Sequence, residues 1–243
     1  MSGATQVTEL SVARRRLAVD SIGIWVLAIV IGTIFGFTAR EGGLSLVEAA
    51  AFSSILFAGA AQFAAVGLLA VAAPWGSIVL LVWLLNARHF LYAASIAPQT
   101  THLPRRMRAG FAYLLTDEAF ALTSAHIARL GRFDLAGGWY AGFSIFVPWN
   151  LATIAGWLAG AALPEPGTIG LDVMFPASMA GLAVGLVRDR AALIALITGG
   201  AAAVAAAILI NPSAAAMIGG LVGPLVGIAL TQRGRSQSEG GAR

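Results

Sequence analysis

An all-α polytopic membrane protein with about eight membrane segments is the fold class the sequence predicts, and three observations predict it. Of 243 residues, 58% are hydrophobic and 11% charged, against roughly 25% charged in ordinary soluble domains. The apolar residues fall into runs of near 20, the length a helix rising about 1.5 Å per residue needs to cross the hydrocarbon layer. The basic residues, all fifteen of them arginine, mostly lie in the short gaps between those runs. No alternating strand pattern appears, so a helical bundle is expected rather than a β-barrel.

The elements follow in order. Residues 1–20, with Arg14, Arg15 and Arg16, read as a cytoplasmic tail. The apolar stretch after them exceeds the usual 7–15 residue core of a signal peptide, and more segments follow. The candidate segments are 21–38, 53–73, 77–97, 109–128, 139–160, 172–187, 191–210 and 213–230. Together they make residues 21–230 one transport domain, with 231–243 a second cytoplasmic tail.

Orientation comes from the arginines. If all eight segments cross, the N-terminus, the loop with Arg129 and Arg132, the Arg188-Asp189-Arg190 turn and the tail with Arg233 and Arg235 share one side, which should be the cytoplasm. The Pro164-Glu165-Pro166 loop and the Asn211-Pro212 turn face the other side without a basic residue. Arg105, Arg106 and Arg108 disagree, since they would lie outside. Eight crossings are the preferred arrangement; six full spans plus two re-entrant hairpins, the fourth segment being one, would bring every basic loop inside.

A two-fold internal repeat, 21–128 and 139–230, fits one pattern. Gly32 and Gly36 are followed by Gly59, as Gly156 and Gly160 are followed by Gly181, and duplicated halves are common in transporters. Close helix packing alone explains small-xxx-small spacing equally well.

Polar residues inside the apolar runs carry the chemistry. Arg88 lies in "NARHFLY", within the third segment, where a cation is costly unless it meets a partner or a wet cavity. Asp117 and Glu118 interrupt the fourth at a matching distance from the intervening loop, so antiparallel neighbours would bring Arg88 and Asp117 to one level. Gln62 and Asn150 fall near the middles of the second and fifth segments. A polar chamber halfway through the membrane is the simplest reading, and secondary transporters bind substrate there. The substrate-contacting set is then Gln62, Asn86, Arg88, Asp117, Glu118 and Asn150. At about 100° per residue, Arg88 and Tyr92 share one helix face and Asn86 and His89 another. Asp117 and Glu118 diverge, so one carboxylate is left for a proton or an ammonium group; Asp117, Glu118 and His89 are the proton-coupling candidates. Structural roles compete throughout: an ion-pair brace for Arg88 and Asp117, a satisfied core histidine at 89, an amide bridging two helices at Gln62. His102 and His126, near segment ends, read as interfacial.

Other functions find little support. Three histidines and no cysteine give poor material for a metal centre. The net charge of +4 follows membrane topology rather than nucleic-acid binding. Neither a nucleotide-binding loop nor a nucleophile elbow is present. An enzyme is therefore not expected, nor a cofactor; a channel or an intramembrane acid–base enzyme is the alternative to a carrier.

The motifs "FAGAAQF", "LNARHFLYAASIAP" and "LLTDEAFAL", in this order and spacing within a chain of about 240 residues, resemble the AzlC-type large subunit of bacterial branched-chain amino acid exporters. The resemblance runs from about residue 20 to 230. It implies a multi-pass protein of the bacterial inner membrane, surrounded by lipid, that exports a small hydrophobic amino acid together with a small AzlD-type membrane subunit. In the mid-depth chamber the substrate carboxylate would meet Arg88 and its ammonium Asp117 or Glu118, with a proton gradient driving export.

Overall fold

The computed structural model describes residues 3–162, 187, 189–210 and 212–240. The sixth segment, except for Val187, lies outside the described residues, as do Gly181, the Pro164–Pro166 loop, Arg188 and Asn211. Helices and no strand make up the regular structure of the described residues, which establishes the all-α class. Among the described residues, four spans are long and apolar enough to cross a membrane: Val7–Glu41, Trp75–Gln99, Leu135–Ala161 and Arg190–Leu209. The chain divides into two compact units, one of residues 1–62 and 84–163, the other of residues 63–83 and 164–243.

In the first unit, α1 (Gly3–Glu41) packs along α8 (Leu135–Ala162). At 39 residues, α1 reaches about 58 Å, nearly twice the roughly 30 Å hydrocarbon layer. The segment expected to be a tail is therefore a helical extension of the first span. The two helices run in the same direction. Ser21 faces Tyr140 at 3.1 Å near one end, and the Arg40 guanidinium sits over the Trp157 ring near the other, 4.4 Å from its centre. They approach closely because glycines line the seam. A Cβ on Gly32 would stand 2.9 Å from the Trp149 carbonyl oxygen, and one on Gly156 would stand 2.9 Å from Thr33 Cα. Both spaced-glycine motifs thus face one interface, and close packing accounts for them.

α2 (Leu46–Leu56) starts at the Arg40 end, where Ser45 and Glu48 form a reciprocal capping box. It descends along α8 through Ser53 with Thr153 at 3.1 Å and the Ser54 hydroxyl donating to Asn150 at 2.9 Å. It ends at Phe57, which has a left-handed backbone (φ 39°), and α3 (Gly59–Ala70) begins two residues later. The expected continuous segment 53–73 is therefore broken, level with the middle of α8.

The third segment keeps its length. α4 (Trp75–Asn86) and α5 (Arg88–Ile96) meet at Ala87, which stays in right-handed helical conformation. The Ala87 N–H bonds Leu84 O at 3.3 Å and the Phe90 N–H bonds Ala87 O at 3.2 Å. Both are three-residue spacings, so the joint is a tightened turn rather than a break. A 3-10 turn over Ala97–Thr100 follows.

The fourth segment departs most from expectation. In place of one helix over 109–128, α6 (Arg105–Tyr113) and α7 (Asp117–Leu130) are separated at Leu114–Thr116. Tyr92 stacks on Phe120 with ring centres 4.5 Å apart. Farther along, Ile96 shares an apolar cluster with Phe111 and Leu115, against which Ile127 and Phe133 pack. α5 and α7 are therefore parallel, and α6 returns between them. With 14 residues α7 reaches only about 21 Å. α6 and α7 form a half-depth hairpin whose two ends open on the same side, and the preferred eight full crossings fail at this segment. Gln99 and His102 line one cleft with Gly131 and Arg132, so the loop leading to Arg105, Arg106 and Arg108 shares the end that carries Arg129 and Arg132. This removes the loop that contradicted the basic-side rule.

In the second unit, α9 (Arg190–Leu209) and α10 (Pro212–Gly240) pack tightly through small residues. A Cβ on Gly199 would lie 3.0 Å from Gly223 Cα, and one on Gly219 would lie 2.6 Å from the Ala203 Cβ. Asp189 caps α9 by accepting from the Ala192 N–H at 2.7 Å.

Candidate functional site

Two helix interruptions lie side by side in the first unit. The end of α6 reaches the end of α2: the Tyr113 hydroxyl donates to the Ser54 carbonyl, and the Tyr113 ring is 6.3 Å from Phe57. Phe57 in turn meets Phe146 of α8 edge-on at 4.9 Å. Leu114 fits over Gly142, where a Cβ would stand 2.6 Å from it. The breaks at 57–58 and 114–116 therefore adjoin about halfway along α8.

The α6–α7 break carries charge. Thr116 is extended, and its hydroxyl accepts from the Ala119 N–H, capping α7. Asp117 and Glu118 occupy the first helical turn, where open N–H groups and the helix dipole favour carboxylates. Asp117 Oδ2 accepts from Arg88 at 2.9 Å and its Oδ1 from the Tyr92 hydroxyl at 2.5 Å. Arg88 and Tyr92, one turn apart on α5, grip a single carboxylate. The pair forms, but between parallel helices and not the antiparallel neighbours expected. Arg88 and Asp117 are 31% and 41% exposed, so the pair borders an open face of the protein. Arg88 Nε is buried with no partner among the described residues. His89 lies edge-on to Tyr92 at 5.7 Å. Glu118 is half-buried and makes no hydrogen bond or ion pair with a described residue.

The α2–α3 break is uncharged and sealed. Gln62 is fully buried, and its Oε1 accepts the Ala58 N–H at 3.2 Å. Gln62 Nε2 and Trp149 Nε1 are buried without partners among the described residues. Trp149, stacked 6.2 Å from Phe35, lies against Gly59.

The remaining expected residues separate. Asn150 accepts from Ser54 and donates to Phe146 O at 2.9 Å, so its amide is committed to holding α2 on α8. Asn86 Oδ1 is buried and unpaired among the described residues. Pro148 leaves α8 unbroken, although it withholds one backbone donor.

The sequence reading gave no role to a second ionic cluster at the far end of α7. Arg14 clasps Asp134 through two bonds of 2.8 and 2.7 Å, and His126 Nε2 lies 3.0 Å from Asp134 Oδ2. A carboxylate only accepts, so that nitrogen carries the hydrogen. The Arg14 hydrogen bond, with help from His126, holds the Asp134 carboxyl well below the usual carboxylate range. Arg129 pairs with Asp20 at 2.6 Å. His126, expected at an interface, is 1% exposed.

No solved structure matches the chain. A membrane protein of Archaeoglobus fulgidus is 33% identical over 213 residues, 87% of this chain and 93% of that protein. The "Inner membrane protein YgaZ" of Escherichia coli is 33% identical over 147 residues, 59% of this chain, and the match spans 60% of that protein's length. A Helicobacter pylori membrane protein is 32% identical over 111 residues, 46% of this chain and 48% of that protein. These similarities and the apolar spans identify a multi-pass membrane protein. The family model described as "AzlC protein" matches residues 23–163, more than half of the chain and most of the unit that holds both helix breaks, so the chain belongs to the AzlC family.

Proposed function

We propose that the chain is the large subunit of an inner-membrane carrier that exports branched-chain or similar hydrophobic amino acids, works with a small AzlD-type membrane subunit, and is driven by protons. The observation that carries this reading is the pair of adjoining helix breaks. Interrupted helices offer backbone and side-chain polar groups to a small ligand at membrane depth, where unbroken helices offer none. One break has carboxylates beside Arg88; the other has buried donors in an apolar wall that includes Phe57. A zwitterion with an aliphatic tail requires both kinds of surface. Asp117 is neutralised by Arg88, so Glu118 is the carboxylate left for an ammonium group or a proton, with His89 beside it.

Counterflow in proteoliposomes holding the chain and its small subunit tests the reading. Preloaded unlabelled leucine or valine should accelerate uptake of the labelled amino acid, and an inward proton gradient should raise export-direction flux. Uptake that ignores preloading would mean a channel, and no flux of any hydrophobic amino acid would overturn the proposal.

A further inference from the structure

Donors at the start of α3 outnumber their acceptors. The helix has no side chain capping it from outside, since the residue before it is Ala58. Gln62 reaches back from within to accept the Ala58 N–H. An N–H can only donate, so the amide oxygen must face it and the Gln62 NH2 group must point elsewhere, where it finds no acceptor. The N–H groups of Gly59, Ala60 and Ala61 have no partner within the helix, and no other described residue accepts from them. Trp149 adds a further unsatisfied donor, and its ring rests on Gly59, with a Cβ there only 2.9 Å from the ring edge. Gln62 is 0% and Trp149 8% exposed, so bulk water does not satisfy their two side-chain donors. Buried polar groups in native proteins are nearly always paired. The unsatisfied Gln62 donor sits at the positive end of a helix.

We infer that the first turn of α3, with the Gln62 NH2 and the Trp149 indole N–H, is the subsite that receives the carboxylate of the transported amino acid. The inference rests on the carrier reading above and moves the carboxylate away from Arg88, which Asp117 and Tyr92 hold. A neutral donor cluster suits a carrier: it binds a carboxylate without a fixed cation that would retain it. Glycine at position 59 lets the ligand approach the backbone, and the Trp149 ring, lying over Gly59, is the side chain that must move to admit it.

Two substitutions remove donors while keeping shape. Gln62→Glu retains an oxygen for the Ala58 N–H but replaces the NH2 with a second oxygen. Trp149→Phe keeps an aromatic ring on Gly59 and loses the indole N–H. Two probes separate the ends of the substrate: 4-methylpentanoate has the carboxylate without the ammonium, and 3-methylbutylamine the reverse. With the full chain and its small subunit, each variant should raise the leucine KM in counterflow and weaken inhibition by 4-methylpentanoate by about tenfold or more, as expected for a lost bond to a charged group. Inhibition by 3-methylbutylamine should stay unchanged. Should Gln62→Glu fail to fold, Trp149→Phe carries the test. Normal leucine counterflow and normal 4-methylpentanoate inhibition in the variants would overturn the subsite, as would wild-type protein that ignores 4-methylpentanoate. Should wild type fail to transport amino acids yet bind 4-methylpentanoate in a Gln62-dependent way, measured calorimetrically, the carrier reading falls and the carboxylate subsite stands.

Discussion

α7 is held by an arginine–aspartate contact near each end, and the two are built differently. Near its C-terminal end Asp134 takes two bonds from Arg14 and one from His126, joining α1, α7 and the turn before α8, while Arg129 pairs with Asp20 alongside. Asp134 is 9% exposed, and both of its oxygens are occupied. At the N-terminal end Asp117 is 41% exposed, its neighbour Glu118 has no partner among the described residues, and Arg88 Nε is unpaired. A satisfied carboxylate that links three segments anchors the hairpin; a half-open one beside an idle carboxylate can exchange partners. The same two residue types form a joint in one place and a candidate site in the other, and what separates them is completeness of hydrogen bonding.

Removing the joint should have the largest effect on stability. Asp134→Asn leaves the Arg14 guanidinium facing an amide and His126 without its acceptor. Breaking a buried pair from one side costs about 3–5 kcal/mol, and the lower end applies because Arg14 is nearly half exposed. A fall in thermal midpoint in detergent, with little folded protein recovered, is expected. Unchanged melting would show that the cluster is not an anchor. Arg88→Gln should give the opposite profile: transport lost by about a hundredfold, roughly 2.7 kcal/mol, in a protein that inserts and melts almost normally. Asp117→Asn alone should melt below the Arg88→Gln/Asp117→Asn double variant, because it leaves Arg88 with no anion, whereas Asp117 in Arg88→Gln keeps the Tyr92 hydroxyl. Wild-type transport by either single variant would erase the distinction between the two ends.

Acid provides a third and smaller contrast. A carboxyl whose folded pKa is depressed contributes stability that is fully present above its unfolded value, near 3.9, and lost as pH falls through the folded one. Asp134 is such a group, held down first by the Arg14 hydrogen bond. The melting temperature should therefore show no loss from this joint between about pH 8 and 5 and should decline only in stronger acid. Asp134→Asn should flatten that acid limb. An identical acid limb in both proteins would remove Asp134 as its source.

How far the site could be read from the sequence depends on which force set each feature. The ion pair was legible because a lone arginine in lipid requires an anion, and Asp117 offered one near the right depth. The parallel helices that deliver it were not, since a hydropathy window averages across Leu114–Thr116 and hides the reversal. A local signal was nevertheless present: a threonine followed by two acids and then an apolar run starts a helix at Asp117. Ser45 and Glu48 mark the start of α2 in the same way. Phe57 gives no such warning, because its left-handed backbone is imposed by packing against Phe146 and Tyr113 rather than chosen by residue type. The Asp134 cluster joins residues 120 positions apart, and an aspartate in a short loop gives no hint of a partner in the first helix.

The finest test distinguishes the two hydrogen bonds that Asp117 accepts. Tyr92 donates at 2.5 Å beside the Arg88 contact at 2.9 Å, and its ring stacks on Phe120. Tyr92→Phe removes only the hydroxyl and preserves the stack, so the loss is one hydrogen bond to a charged group, about 1.5–3 kcal/mol at most and less at a half-exposed site. If Tyr92 helps position the carboxylate for transport, counterflow should slow about threefold with the melting temperature almost unchanged. If Arg88 alone fixes Asp117, both should match wild type, and the α5 contribution to the site reduces to one residue. A large drop in melting temperature would instead place Tyr92 with the anchoring residues of the far end, contradicting the division between the two ends of α7.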